Sequence, residues 1–186
     1  DVQGALNEEK NLRGRLATSY NTRRYFYDGG KSKRASTYGV LEFDLNPDTL
    51  LSAGFTYQNA DNRSTMDWGL PGYKDGSKID FKRSTNLSSP SDYNDVESTQ
   101  YFFEAKHQLN EDWKATLATN YTRFNLDALY SNTGGQIDPI DNSGAYNWAE
   151  GRGENNYQYN TDLFLNGNFD MLGHRSEAIL GANISH

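Results

Sequence analysis

Apolar and polar residues alternate with period two along most of the chain. Leu12, Gly14, Leu16, Thr18 and Tyr20 fall on one side, and Arg13, Arg15, Ala17, Ser19 and Asn21 on the other. The same alternation sets Thr37, Gly39, Leu41, Phe43 and Leu45 against Tyr38, Val40, Glu42 and Asp44, then Leu51, Ala53, Phe55 and Tyr57 against Ser52, Gly54, Thr56 and Gln58. It returns with Tyr101, Phe103, Ala105 and Leu109, with Trp113, Ala115, Leu117, Thr119 and Tyr121, and with Tyr157, Tyr159, Leu163, Leu165 and Phe169. Ala178, Leu180, Ala182 and Ile184 close the series. Each segment reads as a β-strand with one apolar and one polar face.

The connections alternate in length. "LNEEKN", "LNPDT", "LNEDW" and "MLGHRS" are short and rich in Asn, Asp, Pro and Gly, the residues of tight turns. Between them lie longer segments at 26–36, 61–96 and 128–155. This order predicts an all-β antiparallel meander of about eight strands, with tight turns at one end and large loops at the other, the asymmetry of an outer-membrane barrel. Tyr20, Tyr57, Trp113, Tyr121, Tyr157 and Phe169, near strand ends, are expected in interfacial girdles. A soluble β-sandwich also alternates, but loops as long as 61–96 are uncommon in compact domains.

Composition narrows the choice. The 186 residues suit one domain. Only 35% are hydrophobic, yet 13% are aromatic, too many for a disordered chain. The net charge of −7 gives no support to nucleic-acid binding, which calls for a basic face. Without cysteine there is no disulfide framework and no thiolate metal site. No apolar run approaches the ~18 residues of a membrane helix, which does not weigh against a barrel, whose strands need only about ten alternating residues. The opening "DVQGALNEE" carries no signal peptide and reads as the middle of a folded pattern, which suggests a piece of a larger protein.

Several stretches, taken together and in order, resemble a known family: "DVQGALNEEKNLRGRL" (Asp1 to Leu16), "YGVLEFDLNPDTLLSAGFTYQ" (Tyr38 to Gln58), "WGLP" (Trp68 to Pro71), "DGS" (Asp75 to Ser77), "KRSTN" (Lys82 to Asn86), "YND" (Tyr93 to Asp95) and "LNEDWKATL" (Leu109 to Leu117). They are similar to the first third of the barrel in TonB-dependent siderophore receptors, on the branch of the ferric-pyoverdine and ferric-coprogen receptors. The resemblance implies residues 1–186 as part of a barrel of about 22 strands, with the plug domain and the remaining strands absent. It implies a Gram-negative outer-membrane location and uptake of a ferric siderophore. The implied partners are the protein's own plug domain, outer-membrane lipid and lipopolysaccharide, and a TonB complex reached through an N-terminal region. No cofactor is implied, because iron arrives already chelated by the siderophore.

On this reading the aromatic-bearing stretch from Thr65 to Ser84 is an extracellular loop over the barrel mouth. Trp68 and Tyr73 are the first candidates for siderophore contact, then Tyr130 and Trp148 in the later long segment, since such side chains combine a broad apolar surface with one polar tip. They could equally pack the loops against one another. Arg13 and Arg15, on the polar parity near the short turns, are candidates for facing the plug. Lys78, Lys82 and Arg83 could steer an anionic ligand or remain solvated. His107, His174 and His186 are scattered without metal-ligand spacing, and no nucleophile or paired carboxylates nominate a catalytic site. Two other readings use the same strands: a complete small eight-stranded barrel with a structural or adhesive role, and a barrel-embedded hydrolase. The small barrel requires the first strand to pair with the eighth. The parity predicts Leu16, Leu41, Phe55, Leu117, Leu165 and Leu180 toward lipid, and Arg15, Glu42, Thr56, Glu104 and Asp162 on the opposite face.

Overall fold

The structure is a computed structural model that describes residues 1–66 and 68–186. Its strands are β1 (Val2–Ala5), β2 (Leu12–Arg24), β3 (Lys31–Asn46), β4 (Thr49–Arg63), β5 (Tyr93–Gln108), β6 (Trp113–Gly134), β7 (Tyr146–Met171) and β8 (His174–Ser185). They form a single eight-stranded antiparallel sheet in sequence order, each strand paired with the next. β1 and β8 are the two edges and do not pair with each other. The described residues are therefore an open wall, not the closed eight-stranded barrel.

The register carries the sequence parity across the sheet. One row links Leu51, Ala105, Leu117 and Leu163; the next links Phe55, Tyr101, Tyr121 and Tyr159. Leu16 lies opposite Gly39, Leu41 opposite Ala53, and Leu165 opposite Leu180. The polar set keeps to the other face, with Arg13 opposite Glu42, Ser52 opposite Glu104 and Ala118 opposite Asp162. Because side chains alternate strictly, a slip of one residue anywhere would exchange the two faces.

There is almost no interior core. Among the described residues the only buried hydrophobic side chain is Ala128, while Leu16, Leu41, Leu117, Leu163 and Leu180 are exposed. No second sheet covers them. An apolar face this broad, left bare, is stable only against another apolar phase. This removes the β-sandwich and fits a wall whose outer surface meets hydrocarbon. The borders follow. Tyr57, Tyr101, Tyr121, Tyr157 and Tyr159 line the loop side, with the Tyr121 and Tyr159 rings 5.2 Å apart, and Trp113 and Phe169 lie on the short-turn side. From Trp113 to Tyr121, β6 covers about 26 Å at ~3.3 Å per residue, close to the height of a lipid-facing band.

Three cross-strand pairs set a ring over a glycine: Phe55 opposite Gly39, Phe102 opposite Gly54 and Trp113 opposite Gly167. A Cβ on Gly167 would meet the Trp113 ring at 2.4 Å, and one on Gly39 would meet Phe55 at 2.7 Å. Glycine here makes room for a ring laid flat on the neighbouring strand.

The loop end departs from the sequence expectation. The segment expected as a loop over 128–155 is mostly strand: β6 continues to Gly134 and β7 begins at Tyr146. Tyr130 and Trp148, expected in that loop, lie on β6 and β7. The segment 26–36 shrinks to the turn between Arg24 and Lys31, and 61–96 to the connection between Arg63 and Tyr93. Above the tyrosine row polar residues enter both parities and the polar-parity side of β6 takes up Leu126, Ala128 and Tyr130, so the apolar alternation of the band breaks while the hydrogen-bonded ladder runs on. Its outer parity is held by polar pairs: Tyr57 donates to Glu97 at 3.1 Å, Tyr93 donates to Asp127 at 3.1 Å, and Arg63 grips Asp95 with both terminal nitrogens.

Leu117→Arg, in the middle of the apolar band, should destabilise the assembled barrel by roughly 2–4 kcal/mol, and Thr122→Arg on the opposite face by far less. Urea unfolding of the complete protein in lipid vesicles measures both. A larger cost at Thr122 than at Leu117 would mean that the faces are assigned the wrong way round, and equal costs would remove the assignment.

Candidate functional site

The connection between β4 and β5 folds back over the loop end of the wall and is tied down at several places. Ser64, at φ +50°, turns the chain out of β4. Its N–H donates to the Asp92 carbonyl at 2.9 Å. The Asn86 side-chain amide donates to the carbonyls of Asp28 (2.7 Å) and Ser64 (2.9 Å), and Asp28 N–H donates to the Ser84 carbonyl at 2.8 Å, which fastens the loop to the β2–β3 turn. Arg83, a candidate for ligand steering, places its guanidinium over the Phe26 ring at 5.5 Å. Toward the other side, Tyr73 bridges to Ile137: Lys74 N–H donates to the Ile137 carbonyl at 2.9 Å and Ile137 N–H to the Gly72 carbonyl at 3.0 Å. Lys74 Nζ also pairs with Asp138. The strap thus reaches from the β2–β3 turn to the tip of the β6–β7 hairpin.

This path brings Trp68 to Trp148. Their ring centroids are 5.7 Å apart with planes 73° from parallel, an edge-to-face pair. Trp68 remains 70% exposed, while Trp148 is half-buried. Trp148 stands opposite Asn132 and Tyr130 opposite Glu150, so Trp148, Asn132 and Tyr130 share the polar-parity face. The Tyr130 hydroxyl accepts from the Asn94 side-chain amide. Of the four aromatic candidates, the fold joins Trp68 with Trp148, sets Tyr73 at the junction of the two loops, and leaves Tyr130 lower on the wall, held by β5. Asn132, which the sequence did not single out, is 5% exposed, and its amide nitrogen has no hydrogen-bond partner among the described residues. A buried donor of this kind beside an aromatic pair calls for a partner. Nothing in the pattern of a hairpin that mixes polar residues into both parities distinguishes Asn132 from its neighbours.

Arg13 and Arg15 lie on the polar parity near the short turns, as expected, and the wall itself supplies them with carboxylates. Arg13 Nη2 donates to Asp44 at 2.9 Å, with Glu42 at 3.5 Å from Nε, and Arg15 donates to both oxygens of Asp1 at 2.7 and 3.1 Å. They present ion pairs rather than bare cations. His107 lies at the short-turn border of the apolar parity, where its Nδ1 is 2.8 Å from the Thr49 hydroxyl.

An antiparallel wall with a bare apolar face, an aromatic border and long loops at one end defines a segment of an outer-membrane β-barrel. The comparisons place that segment. Over 188 residues the chain is 37% identical to the ferric-pyoverdine receptor PbuA of a Pseudomonas strain, and over 186 residues 33% identical to a ferric-pyoverdine receptor of Pseudomonas putida. All of this chain is matched in both, but it spans only 22% and 23% of those relatives. The crystal structure of the outer-membrane ferripyoverdine receptor of Pseudomonas aeruginosa bound to ferripyoverdine superposes with a TM-score of 0.91 at 29% identity, over 98% of this chain and 24% of that one. The ferric-catecholate import receptor Fiu of Escherichia coli, at 17% identity and a TM-score of 0.86, shares the fold. No family model matches the chain. The resemblance to the barrel of TonB-dependent siderophore receptors holds over its full length.

The tie between the strap and the hairpin tip is sensitive to acid. Chiefly the Lys74 hydrogen bond, and next the Ile140 N–H, hold the Asp138 carboxyl below its ordinary 3.8. A lowered native pKa means that the tie contributes fully above the ordinary aspartate value and fades as pH falls through the native one. Spin labels at Ser77 and Asn142 of the complete protein should report a narrow distance distribution at neutral pH that broadens below about pH 4. Lys74→Ala should broaden it already at neutral pH. A distribution unchanged in acid would show that the main-chain bridge at Ile137 suffices.

Proposed function

We propose that the chain is part of the wall and mouth of an outer-membrane receptor that takes up a ferric siderophore of the pyoverdine class across the Gram-negative outer membrane. The observation that carries this reading is the end-to-end match of the chain to ferric-pyoverdine receptors, 37% identical in the first case above. The mouth supports it independently. Trp68 and Trp148 form a rigid aromatic corner above the polar-parity face, the arrangement that grips a bulky, partly planar ligand at low entropic cost. Tyr73 sits where the two loops join, and Tyr130 would meet the ligand lower on the wall.

In this reading the receptor's own plug domain occupies the barrel beside the polar face. Arg13 and Arg15, each already engaged by a carboxylate of the wall, present ordered ion pairs toward it. Transport is driven from the inner membrane through the TonB complex. The protein binds and passes an iron chelate and catalyses no covalent reaction. It supplies no ligand to the metal and needs no cofactor, because the siderophore completes the coordination of iron. Outer-membrane lipid and lipopolysaccharide cover the apolar band and its loop-side rim.

In the complete, assembled receptor, Trp68→Ala should weaken binding of ferric pyoverdine by about 1–3 kcal/mol, the range of an interface anchor. Fluorescence titration reads the affinity, and heat-modifiable migration of the folded barrel confirms assembly. Wild-type affinity in an assembled Trp68→Ala receptor would take Trp68 out of the site and leave the strap as a cover over the mouth.

A further inference from the structure

Asp92 is 1% exposed, and the aromatic site as described makes no use of it. Its carboxyl group accepts three hydrogen bonds. Oδ2 takes the N–H of Ser131 at 2.8 Å and of Ser89 at 3.0 Å, and Oδ1 takes the Ser131 hydroxyl at 2.8 Å. The β5–β6 ladder ends where Tyr93 pairs with Leu129. The next N–H on β6 directed toward β5 is that of Ser131. There the chain is still in the turn that precedes β5, with Asp92 N–H on the Ser89 carbonyl at 3.0 Å, and the Asp92 side chain takes the Ser131 N–H in place of a ladder carbonyl.

The same residue closes the strap. The Asp92 carbonyl accepts the N–H of Ser64, so both ends of the 64–92 connection meet at Asp92, and Asp92 is bolted to β6. Ser131 pairs with Ala149, the neighbour of Trp148. Trp68 follows shortly after Ser64. One carboxyl group thus fixes the root of the segment that carries one tryptophan to the strand pair that carries the other.

We infer that Asp92 is a positioning residue for the ligand site, which sets the strap so that Trp68 stands against Trp148. This role rests on the siderophore-binding reading above. It differs from general loop stability in one respect: the effect of losing Asp92 must pass through Trp68.

The test uses the complete receptor, with ferric pyoverdine as the probe and heat-modifiable migration as the check of assembly. Asp92→Ala should raise the dissociation constant about tenfold, since it strands three part-buried donors on Ser89 and Ser131. Asp92→Asn should stay within about twofold, because its carbonyl can accept both N–H groups while its amide donates to the Ser131 hydroxyl. The double variant Asp92→Ala with Trp68→Ala should bind no more weakly than Trp68→Ala alone. Should Asp92→Ala not assemble, Ser131→Ala removes one of the three bonds and should give about a threefold loss that likewise vanishes in the Trp68→Ala background. Wild-type affinity for the assembled Asp92 variant, or for Ser131→Ala where it stands in, overturns the role. So do losses that add to that of Trp68→Ala. Wild-type affinity for Trp68→Ala alone is a separate failure, which removes the siderophore reading of the corner and this role with it.

Discussion

Hydrocarbon cannot hydrogen-bond a peptide group, and the arrangement of this wall follows from that fact. Every N–H and C=O crossing the bilayer must be met by another strand, so the chain is committed to a continuous antiparallel ladder. Once the ladder is continuous, side-chain parity is shared by all strands, and each residue's face is decided by whether its number matches the row. Among the described residues, the one irregularity in the strand pairing falls between Asp44 and Asn46, beside the tight turn and beyond the apolar rows. There it shifts nothing that faces lipid. The glycines at 39, 54 and 167 belong to the same logic. Within a fixed register a ring can lie flat across the neighbouring strand where the residue directly opposite is glycine, which leaves the space a Cβ would fill.

Past the tyrosine row water can satisfy the backbone, and the constraint loosens. The strands nevertheless continue, held now by polar contacts between neighbours. Arg63 with Asp95 and Tyr93 with Asp127 are cross-strand pairs of modest individual worth on a surface this exposed. What they do together is keep the β6–β7 hairpin in line with the wall, so that its tip is a fixed point. The strap then needs few further bonds: Asn86 on one side, the Tyr73–Ile137 bridge on the other, Asp92 at the root. Side chains take over from main chain where the ladder stops, which is why the residues holding the mouth are Asp and Asn rather than apolar ones.

This change of rules also decides what could be read from the sequence. Within the apolar band, alternation found the strands and set Leu16, Leu41, Leu117 and Leu180 on one side, and the register keeps them there. β1 is only Val2–Ala5 and offers too few residues for a period to register. In the upper part of β6 and β7 the apolar parity of the band is broken by Asn, Asp, Glu and Gly, so most of 128–155 reads as loop although it is strand up to Gly134 and again from Tyr146. Trp68 and Tyr73 were candidates from the length and aromatic content of their loop, its place between two patterned strands and the family resemblance, but the approach of Trp68 to Trp148, far apart in the chain, was not legible. Asp92 and Asn132 carried no signal, since one Asp or Asn among many becomes distinctive only through its partners, or through lacking one.

The edges of the sheet bear on how the site can work at all. β1 (Val2–Ala5) and β8 (His174–Ser185), which run along the apolar band, each lack a strand on their outer side among the described residues. In hydrocarbon such an edge has to be paired, and eight strands whose first and last do not meet cannot pair it themselves. Relatives more than four times as long, to which this chain matches end to end, provide the natural setting: a barrel in which further strands close the ladder. The aromatic corner draws on two separate hairpins, Trp68 from the β4–β5 connection and Trp148 from β7. Their relative position is therefore a property of the wall, and the wall holds its shape only when its edges are closed. The shape of the mouth and strand pairing in the membrane are in this sense one problem, linked through the stretch of β6 that Asp92 holds from one side and Ala149 from the other.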